Sequence, residues 1–284
     1  MHSDKFPKMI KDYKPTTPSR RHAQGYDFSD LTKGAKPQKS LTHGHFRSVG
    51  RNNQGRITSM HRGGGVKRLY RDVDFKQDKR DIPAKVATIE YDPNRTSRIA
   101  LLNYRDGEKR YILAPTGMKV GDTVLTADKT PVRVGNRMKL GNMPQGTMVH
   151  NVEIRLGQGG LIVRSAGTGA IVMAHDEGMT QLQLPSSEMR AVSSECFASI
   201  GQLSNAEHAK VWLGKAGRAR WLGRRPKVRG TAQNPVDHPY GGGEGRQGRG
   251  TRRPKTRHGK VTGGHKTRDR KKKSQLFIVR RRVK

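Results

Sequence analysis

The segment from Ala84 to Ala114, AKVATIEYDPNRTSRIALLNYRDGEKRYILA, carries the pattern from which the fold class is predicted. It contains three runs rich in aliphatic and β-branched residues, Ala84–Tyr91, Arg98–Tyr104 and Lys109–Ala114, and turn residues separate them. The pair Asp106-Gly107 fits the tight turn of a hairpin between the second and third runs. The stretch therefore predicts three short antiparallel strands.

Alternation within the first run predicts that Val86 and Glu90 share one face of the strand and that Ile89 lies on the opposite face. Two further short runs, Val120–Thr126 and Val132–Val134, follow the hairpin. About five short strands within roughly 65 residues predict a small barrel of the OB type.

The same pattern restarts after Thr147. The runs, separated by clusters of Gly, Pro or Ser, are Val149–Leu156, Leu161–Arg164, Gly169–Ala174, Met179–Leu184 and Met189–Val192. In the fourth run, Thr180 and Leu182 point one way and Gln181 the other, which is typical of a sheet with one buried face. We expect a second barrel, similar to an SH3 domain in size.

Helical signals are confined to the region after the second barrel. Ser204 or Asn205 is a suitable N-cap for a short helix, and Lys215–Trp221 predicts one more turn. Trp212 and Trp221 are expected to pack in the core rather than to stack on bases.

The charge of the chain is distributed unevenly. The 284 residues include 58 Lys and Arg against 23 Asp and Glu, a net charge of +35. Residues 81–214 are nearly neutral, with a charge of about +2, whereas residues 1–80 carry about +12 and residues 246–284 about +16. We therefore predict a mainly β protein with basic extensions at residues 1–80 and 215–284, an OB-type barrel at 81–146 and an SH3-like barrel at 147–214.

Composition excludes several classes of protein. The longest apolar runs are far shorter than the roughly 20 residues of a membrane span. Cys196 is the only cysteine, which rules out a disulfide scaffold, argues against a Cys-rich zinc site and favours a reducing compartment such as the cytosol. We expect no metal, cofactor, membrane contact or homo-oligomer. A dense polyanion such as nucleic acid is the expected partner of the basic extensions.

The segment from Gly230 to Gly245, GTAQNPVDHPYGGGEG, is the strongest local candidate for a binding site, and we call it the Pro/Gly loop. Its prolines restrict the backbone, and its glycines allow the main chain to approach a partner closely. The residues expected to contact RNA are Asn234, Asp237, His238, Tyr240, Gly241, Gly242 and Gly243.

A catalytic interpretation of the same loop is weak. Asp237 and His238, with Ser193 or Ser194, supply the residue types of a nucleophilic triad. Adjacent residues rarely orient one another, however, and the chain has no Gly-x-Ser-x-Gly elbow. We expect no enzyme activity.

Two further segments are predicted to bind RNA phosphates. The first combines a glycine triplet with cations and contributes Arg62, Gly63, Gly64, Gly65, Lys67, Arg68 and Arg71. The second surrounds Trp221 and contributes Lys215, Arg218, Arg220, Arg224, Arg225, Lys227 and Arg229. Because aromatic residues make up only 5% of the chain, we expect recognition of a folded RNA through its shape and backbone.

With these motifs, the sequence resembles the universal large-subunit ribosomal protein family L-two, in its bacterial-type form. The resemblance covers nearly the whole chain. It rests on Gly50–Asn52, Arg62–Arg71, Asp74–Lys76, Tyr91–Arg95, Gly107–Pro115, Val149–Glu153, Arg164–Gly167, Asn205–His208, Gly214–Gly217, Asn234–Gly245 and Phe277–Arg282.

The resemblance implies a structural rRNA-binding protein of the large subunit, with neighbouring ribosomal proteins as partners. It also implies support of subunit association and tRNA binding, and a Pro/Gly loop beside the peptidyl-transferase centre. His238 matches the family histidine linked to that centre, where the chemistry would belong to RNA. Tyr240 stands where bacterial-type members usually have a second histidine.

Three alternatives are left open. The chain could be a nucleic-acid chaperone or chromatin-like protein outside the ribosome, which a preference for duplex DNA would indicate. It could be an enzyme acting on RNA, which turnover by the pure protein would indicate. The resemblance places the protein on cytoplasmic ribosomes, with an organelle-encoded copy as the alternative.

Overall fold

The computed structural model describes residues 10–245, 248–263, 267–269 and 271–282. The strands are β1 (Ile10–Asp12), β2 (Gln24–Tyr26), β3 (Thr42–Gly44), β4 (Leu69–Arg71), β5 (Ala84–Glu90), β6 (Ile99–Tyr104), β7 (Lys109–Leu113), β8 (Thr123–Val124), β9 (Arg137–Lys139), β10 (Met148–His150), β11 (Ala170–Asp176), β12 (Met179–Gln183), β13 (Met189–Ser193), β14 (Phe197–Ile200) and β15 (Ile278–Arg280). The α-helices are α1 (Pro18–Arg21) and α2 (Ala216–Trp221), and 3-10 helices lie at Lys39–Leu41, Leu140–Asn142, Ala206–Lys210, Gly230–Ala232 and Lys273–Gln275. The protein is mainly β, as predicted.

The first barrel is built on a four-stranded antiparallel sheet in the order β7-β6-β5-β8. The predicted hairpin between β6 and β7 is confirmed, and Gly107 turns the chain with a φ of 87°. The sheet curls around a core consisting of Ala84, Val86, Ile89, Ala100, Leu102, Tyr104, Ile112, Ala114, Met118 and Val124. This arrangement is consistent with an OB-type barrel.

A β-bulge changes the faces of β5. The pairing with β6 shifts register between Val86 and Thr88, so that Ala87 is an extra residue on this strand. Ile89 consequently joins Val86 in the same core. The prediction that these two side chains lie on opposite faces is wrong, because one inserted residue reverses the alternation.

The second barrel is built on a seven-stranded sheet in the order β15-β13-β12-β11-β10-β14-β9. The alternation predicted for β12 is confirmed, since Thr180 and Leu182 are fully buried. The core consists of Met138, Leu140, Met143, Val149, Val152, Ala170, Val172, Leu182, Val192, Cys196, Ala198 and Ile200. The curled sheet is consistent with an SH3-like barrel. Its two edge strands, β9 and β15, come from outside residues 147–214.

Two of the predicted strands are absent. Val132–Val134 lies in a turn region between Pro131 and Gly135, where glycine adopts a φ of 96°, and the strand β9 forms a few residues later. Leu161–Arg164 contributes only an isolated bridge from Ile162. The positions of both predicted helical segments are confirmed, since a 3-10 helix follows Asn205 and α2 covers Ala216–Trp221. The N-cap prediction is wrong, because Asn205 adopts a φ of 62° and its side-chain amide donates to the carbonyl of Thr96 instead of capping the helix.

The described residues form two compact units. The first lies within Met1–Phe46, Lys67–Lys215 and Leu276–Lys284 and contains both barrels, and the second lies within Arg47–Val66 and Ala216–Gln275. The second unit therefore joins parts of the two basic extensions, a pairing that the sequence did not predict. Within the described part of the chain, no helix has the length and apolarity needed to cross a membrane.

Candidate nucleic-acid interface

The second unit brings two of the predicted RNA-binding segments together. Gly63 donates its main-chain N–H to the carbonyl of Gly223 at 2.8 Å, and Val66 donates to the carbonyl of Trp221 at 2.9 Å. Arg62 also forms a bridge with Arg224. We call Arg62–Val66 and Trp221–Arg225 the paired basic segments. The glycine triplet therefore has fixed main-chain partners and is not a free hinge.

The glycines of this triplet have different surroundings. Gly65 adopts a φ of 61°, and a Cβ there would lie 2.5 Å from the carbonyl oxygen of Trp221. A Cβ on Gly63 would lie 3.2 Å from Cγ of Arg225, whereas Gly64 has no neighbouring atom within 4 Å of that position. The close approach of the two segments thus requires glycine at position 65.

Both paired segments carry exposed cations. Arg62 of the first segment and Arg224 and Arg225 of the second are exposed to solvent. Arg47, which sequence reasoning did not select, donates from its guanidinium to the carbonyl of Val66 at 2.6 Å and so supports the first segment. Arg220 precedes the second segment, Lys227 and Arg229 follow it, and all three are exposed. Exposed guanidinium groups on a fixed backbone suit phosphate oxygens.

The Pro/Gly loop is closed by its own main chain. Gly242 donates to the carbonyl of Gln233 at 3.2 Å, and Gly241 donates to the carbonyl of His238 at 2.9 Å. Gly242 has a φ of 81°, and a Cβ there would lie 2.5 Å from Cγ of Pro235. The loop is thus a compact turn in which a proline packs against a glycine, while Asn234 remains exposed.

His238 is half-buried at the base of this loop. Its ring lies against Gly230, where a Cβ would be 2.6 Å from Cε1 of the imidazole. Its Nδ1 accepts a hydrogen bond from the main-chain N–H of Tyr240 at 3.1 Å, so the neutral ring carries its proton on Nε2. In a nucleophilic triad a carboxylate accepts a hydrogen bond from Nδ1 of the histidine and so orients its ring. In this loop Nδ1 of His238 bonds the backbone amide of Tyr240 and not a carboxylate. Asp237 is exposed.

Tyr240 anchors the loop to the following segment. Its hydroxyl oxygen accepts a short hydrogen bond from the main-chain N–H of Lys255, and its ring lies 4.7 Å from that of His238. The guanidinium of Arg249, another residue that sequence reasoning missed, lies 5.9 Å from the Tyr240 ring. The phenol of Tyr240 therefore helps to fix the loop. The sequence did not predict its hydrogen bond with Lys255.

Two family models match the chain. The model for the RNA-binding N-terminal domain of ribosomal proteins L2 matches residues 38–126, and the model for their C-terminal domain matches residues 133–259. The chain belongs to the ribosomal L2 family. It is therefore a structural constituent of the ribosome that binds rRNA, and the predicted ribosomal location is confirmed. The paired basic segments and the Pro/Gly loop lie inside the matched L2 ranges.

Not every cation selected from the L2 motifs is available to RNA. Arg68 donates to the carbonyl of Pro93 at 2.7 Å, and Arg71 is only 8% exposed, 3.8 Å from the carboxylate of Asp92. Both guanidinium groups thus have intramolecular partners in the first unit. Lys67 and Lys215 of the same unit are exposed, and Arg218 in the second unit is partly buried.

The expectation for the two tryptophans is wrong. Trp212 is 62% exposed and Trp221 is 53% exposed, so neither is a core residue. The barrels fill their cores with aliphatic side chains, Met and Tyr, and both tryptophans lie beyond the last core strand of the second barrel. Tryptophan is highly buried on average in proteins, but that average did not predict the exposure of Trp212 and Trp221 in these basic L2 segments.

Proposed function

We propose that this L2-family chain binds large-subunit rRNA through the paired basic segments and the Pro/Gly loop. The observation that carries the proposal is the pairing of Arg62–Val66 with Trp221–Arg225, since it collects exposed cations that lie about 160 residues apart in the sequence. A fixed cationic surface is complementary to a folded RNA backbone, whereas a mobile polycation would bind any polyanion.

The Pro/Gly loop supports the finer part of the proposal. Its apex is exposed, with Val236 91% accessible to solvent, while its base is fixed by His238 and Tyr240. We infer that the loop lies beside the peptidyl-transferase centre, where Nε2 of His238 donates a hydrogen bond to rRNA. The chemistry there belongs to RNA. By the same placement the chain supports subunit association and tRNA binding, with rRNA, tRNA, the small subunit and neighbouring ribosomal proteins as contacts.

The test compares RNA with DNA. The full chain is titrated with a transcript of the large-subunit rRNA and with duplex DNA of equal phosphate content, over a range of salt concentrations. We expect tighter binding to the rRNA and a linear dependence of log affinity on log salt. Equal or tighter binding to the duplex would instead support the chaperone or chromatin-like alternative.

A matched pair of variants assigns the binding to the paired basic segments. Replacing Arg224 and Arg225 by Ala removes two phosphate contacts and should reduce the salt slope by about 1.5. Lys109→Ala, an exposed cation in the hairpin of the first barrel, should leave the slope unchanged. Equal slopes for the two variants would mean that these arginines do not contact phosphate.

A further inference from the structure

Trp212 is an exposed indole on a fixed main chain. Its carbonyl accepts a hydrogen bond from the N–H of Gln24 in β2 at 2.9 Å, and its own N–H donates to the side-chain oxygen of Gln24 at 3.1 Å. The side-chain amide of Gln24 in turn donates to Asp12 of β1 at 2.8 Å. The indole is nevertheless 62% exposed, so the backbone holds a large aromatic face toward solvent.

The next turn of chain keeps this segment in place. Gly214 adopts a φ of 75°, and a Cβ there would lie 2.6 Å from Cβ of Ala23 and 2.8 Å from the carbonyl oxygen of Ser19. Residues 212–214 therefore lie along residues 19–24 with no space between them. A tryptophan on such a support loses little further freedom when a planar ligand stacks on it.

A second aromatic residue, Tyr13, packs against Gly25, which follows Gln24 in β2. The ring of Tyr13 covers Gly25, where a Cβ would lie 2.3 Å from the phenolic oxygen. The guanidinium of Arg20 lies 5.4 Å from the Tyr13 ring. Arg20 and Arg21 are both exposed at the end of α1, and Lys11 is exposed on β1. The main chain of Trp212 therefore bonds Gln24, and the ring of Tyr13 with Arg20 covers Gly25, the next residue of β2.

We propose that Trp212 and Tyr13, with Arg20 and Arg21, form a second RNA site that takes an unpaired nucleobase of the rRNA. We call these four residues the ribbon site. An indole face stacks on any base, and guanidinium groups bind the adjoining phosphates. Arg20 lies beside the Tyr13 ring, and Lys11 and Arg21 are exposed on the adjoining β1 and α1, so we take a polyanion as the partner. The inference rests on the proposed function, because it names a contact of the same RNA outside the second unit.

The test uses the intrinsic fluorescence of the chain. The only tryptophans are Trp212 and Trp221, so Trp221→Phe leaves Trp212 as the sole indole reporter and Trp212→Phe leaves Trp221. Each full-length variant is titrated to saturation with a 12-nucleotide single-stranded RNA and with an abasic 12-mer of the same charge. We expect the RNA, but not the abasic strand, to quench the emission of Trp212. Equal quenching by the two strands, or none by the RNA, would overturn the proposal.

Affinity gives an independent measurement. In the Trp221→Phe background, Trp212→Ala should weaken binding to the rRNA transcript roughly tenfold, and Trp212→Phe should restore most of it, because stacking needs an aromatic face. Circular dichroism confirms that each variant is folded. If the affinity of Trp212→Ala for the transcript stays within twofold of its parent, the ribbon site is contradicted and the proposed function is not. Failure of the unaltered chain to bind the transcript would contradict the proposed function.

Discussion

At the residue scale, the Pro/Gly loop depends on one glycine that meets two requirements. Gly242 has a positive φ, and the ring of Pro235 occupies the space in which its side chain would lie. Gly242→Val should therefore destabilise the closed loop by roughly 1–3 kcal/mol and weaken binding to rRNA. Hydrogen exchange at the amides of Gly241 and Gly242 measures the opening, and filter binding measures the affinity.

Two controls separate backbone geometry from charge. Gly248→Val places a side chain in open space on a backbone without positive φ and should have little effect. Lys271→Ala removes one cation among many and should weaken binding less than Gly242→Val. If the lysine variant lost as much affinity as Gly242→Val, the loop would act only as an electrostatic tether.

His150 should make stability depend on pH. Burial lowers the pKa of His150 to about 4, and its Nδ1 lies 2.9 Å from the carbonyl oxygen of Gly201. The unfolded chain, in which histidine has a pKa near 6.5, therefore takes up a proton before the folded chain does. Stability should fall as the pH drops from about 6.5 toward 4, by up to about 1.4 kcal/mol per pH unit.

Urea denaturation followed by circular dichroism across this pH range measures the effect. His150→Asn should reduce the slope. A smaller slope should remain in the variant, because burial also lowers the pKa of His208. An unchanged slope would show that His150 is accessible to protons in the folded chain.

A buried ion pair fixes the second barrel at Arg137. The guanidinium is fully buried, donates to Glu153 at 3.1 Å and donates to the carbonyl of Asn151 at 2.8 Å. Glu153→Ala leaves this charge without its carboxylate and should reduce the free energy of unfolding by about 3–5 kcal/mol. Urea denaturation of Glu195→Ala is the control, since that carboxylate pairs with Lys139 at the surface and should matter little. If both variants lost the same free energy of unfolding, the buried Arg137–Glu153 pair would not be what stabilises the second barrel.

At the element scale, the paired basic segments depend on Gly65. Gly65→Ala places a methyl group against the carbonyl of Trp221 on an unfavourable backbone, whereas Gly64→Ala places one in open space. The first variant should separate the segments and weaken binding to rRNA, and the second should behave like the parent. Hydrogen exchange at the amides of Gly63 and Val66 detects the separation. Protection of these amides in Gly65→Ala would mean that the pairing tolerates a side chain there.

Local patterns predicted the elements well where local forces decide them. The hairpin at Asp106-Gly107 and the alternation of β12 both follow from the properties of a few adjacent residues. The bulge at Ala87 was not predictable, because it depends on how β5 pairs with β6 and leaves no mark in the composition.

The candidate site was predictable in its parts and not in its arrangement. Glycine triplets, clustered cations and the Pro/Gly loop are visible in the sequence. The pairing of Arg62–Val66 with Trp221–Arg225 is not, since main-chain hydrogen bonds between distant segments require no particular side chains. Nor did the sequence reveal that Arg71 is buried beside Asp92 while Trp212 is exposed, because burial depends on how distant parts of the chain pack.

At the scale of the whole molecule, a net charge of +35 favours a polyanion as the partner of the chain. In the first unit, the two barrels bury nearly neutral sequence. In the second unit, the paired basic segments and the Pro/Gly loop are ordered by main-chain hydrogen bonds and proline–glycine contacts. The exposed cations Arg62, Arg224 and Arg225 thus lie on main chain that has fixed partners.

The most direct test of this account is sedimentation of a native lysate through a sucrose gradient at low magnesium, which separates the ribosomal subunits. The fractions are washed with high salt and probed for this chain. We expect it to remain with the large subunit after the wash, since an integral rRNA-binding protein is held by many phosphate contacts and by its ordered loop. Release of the chain to the top of the gradient would contradict an integral place in the large subunit and would indicate a loosely bound polycation.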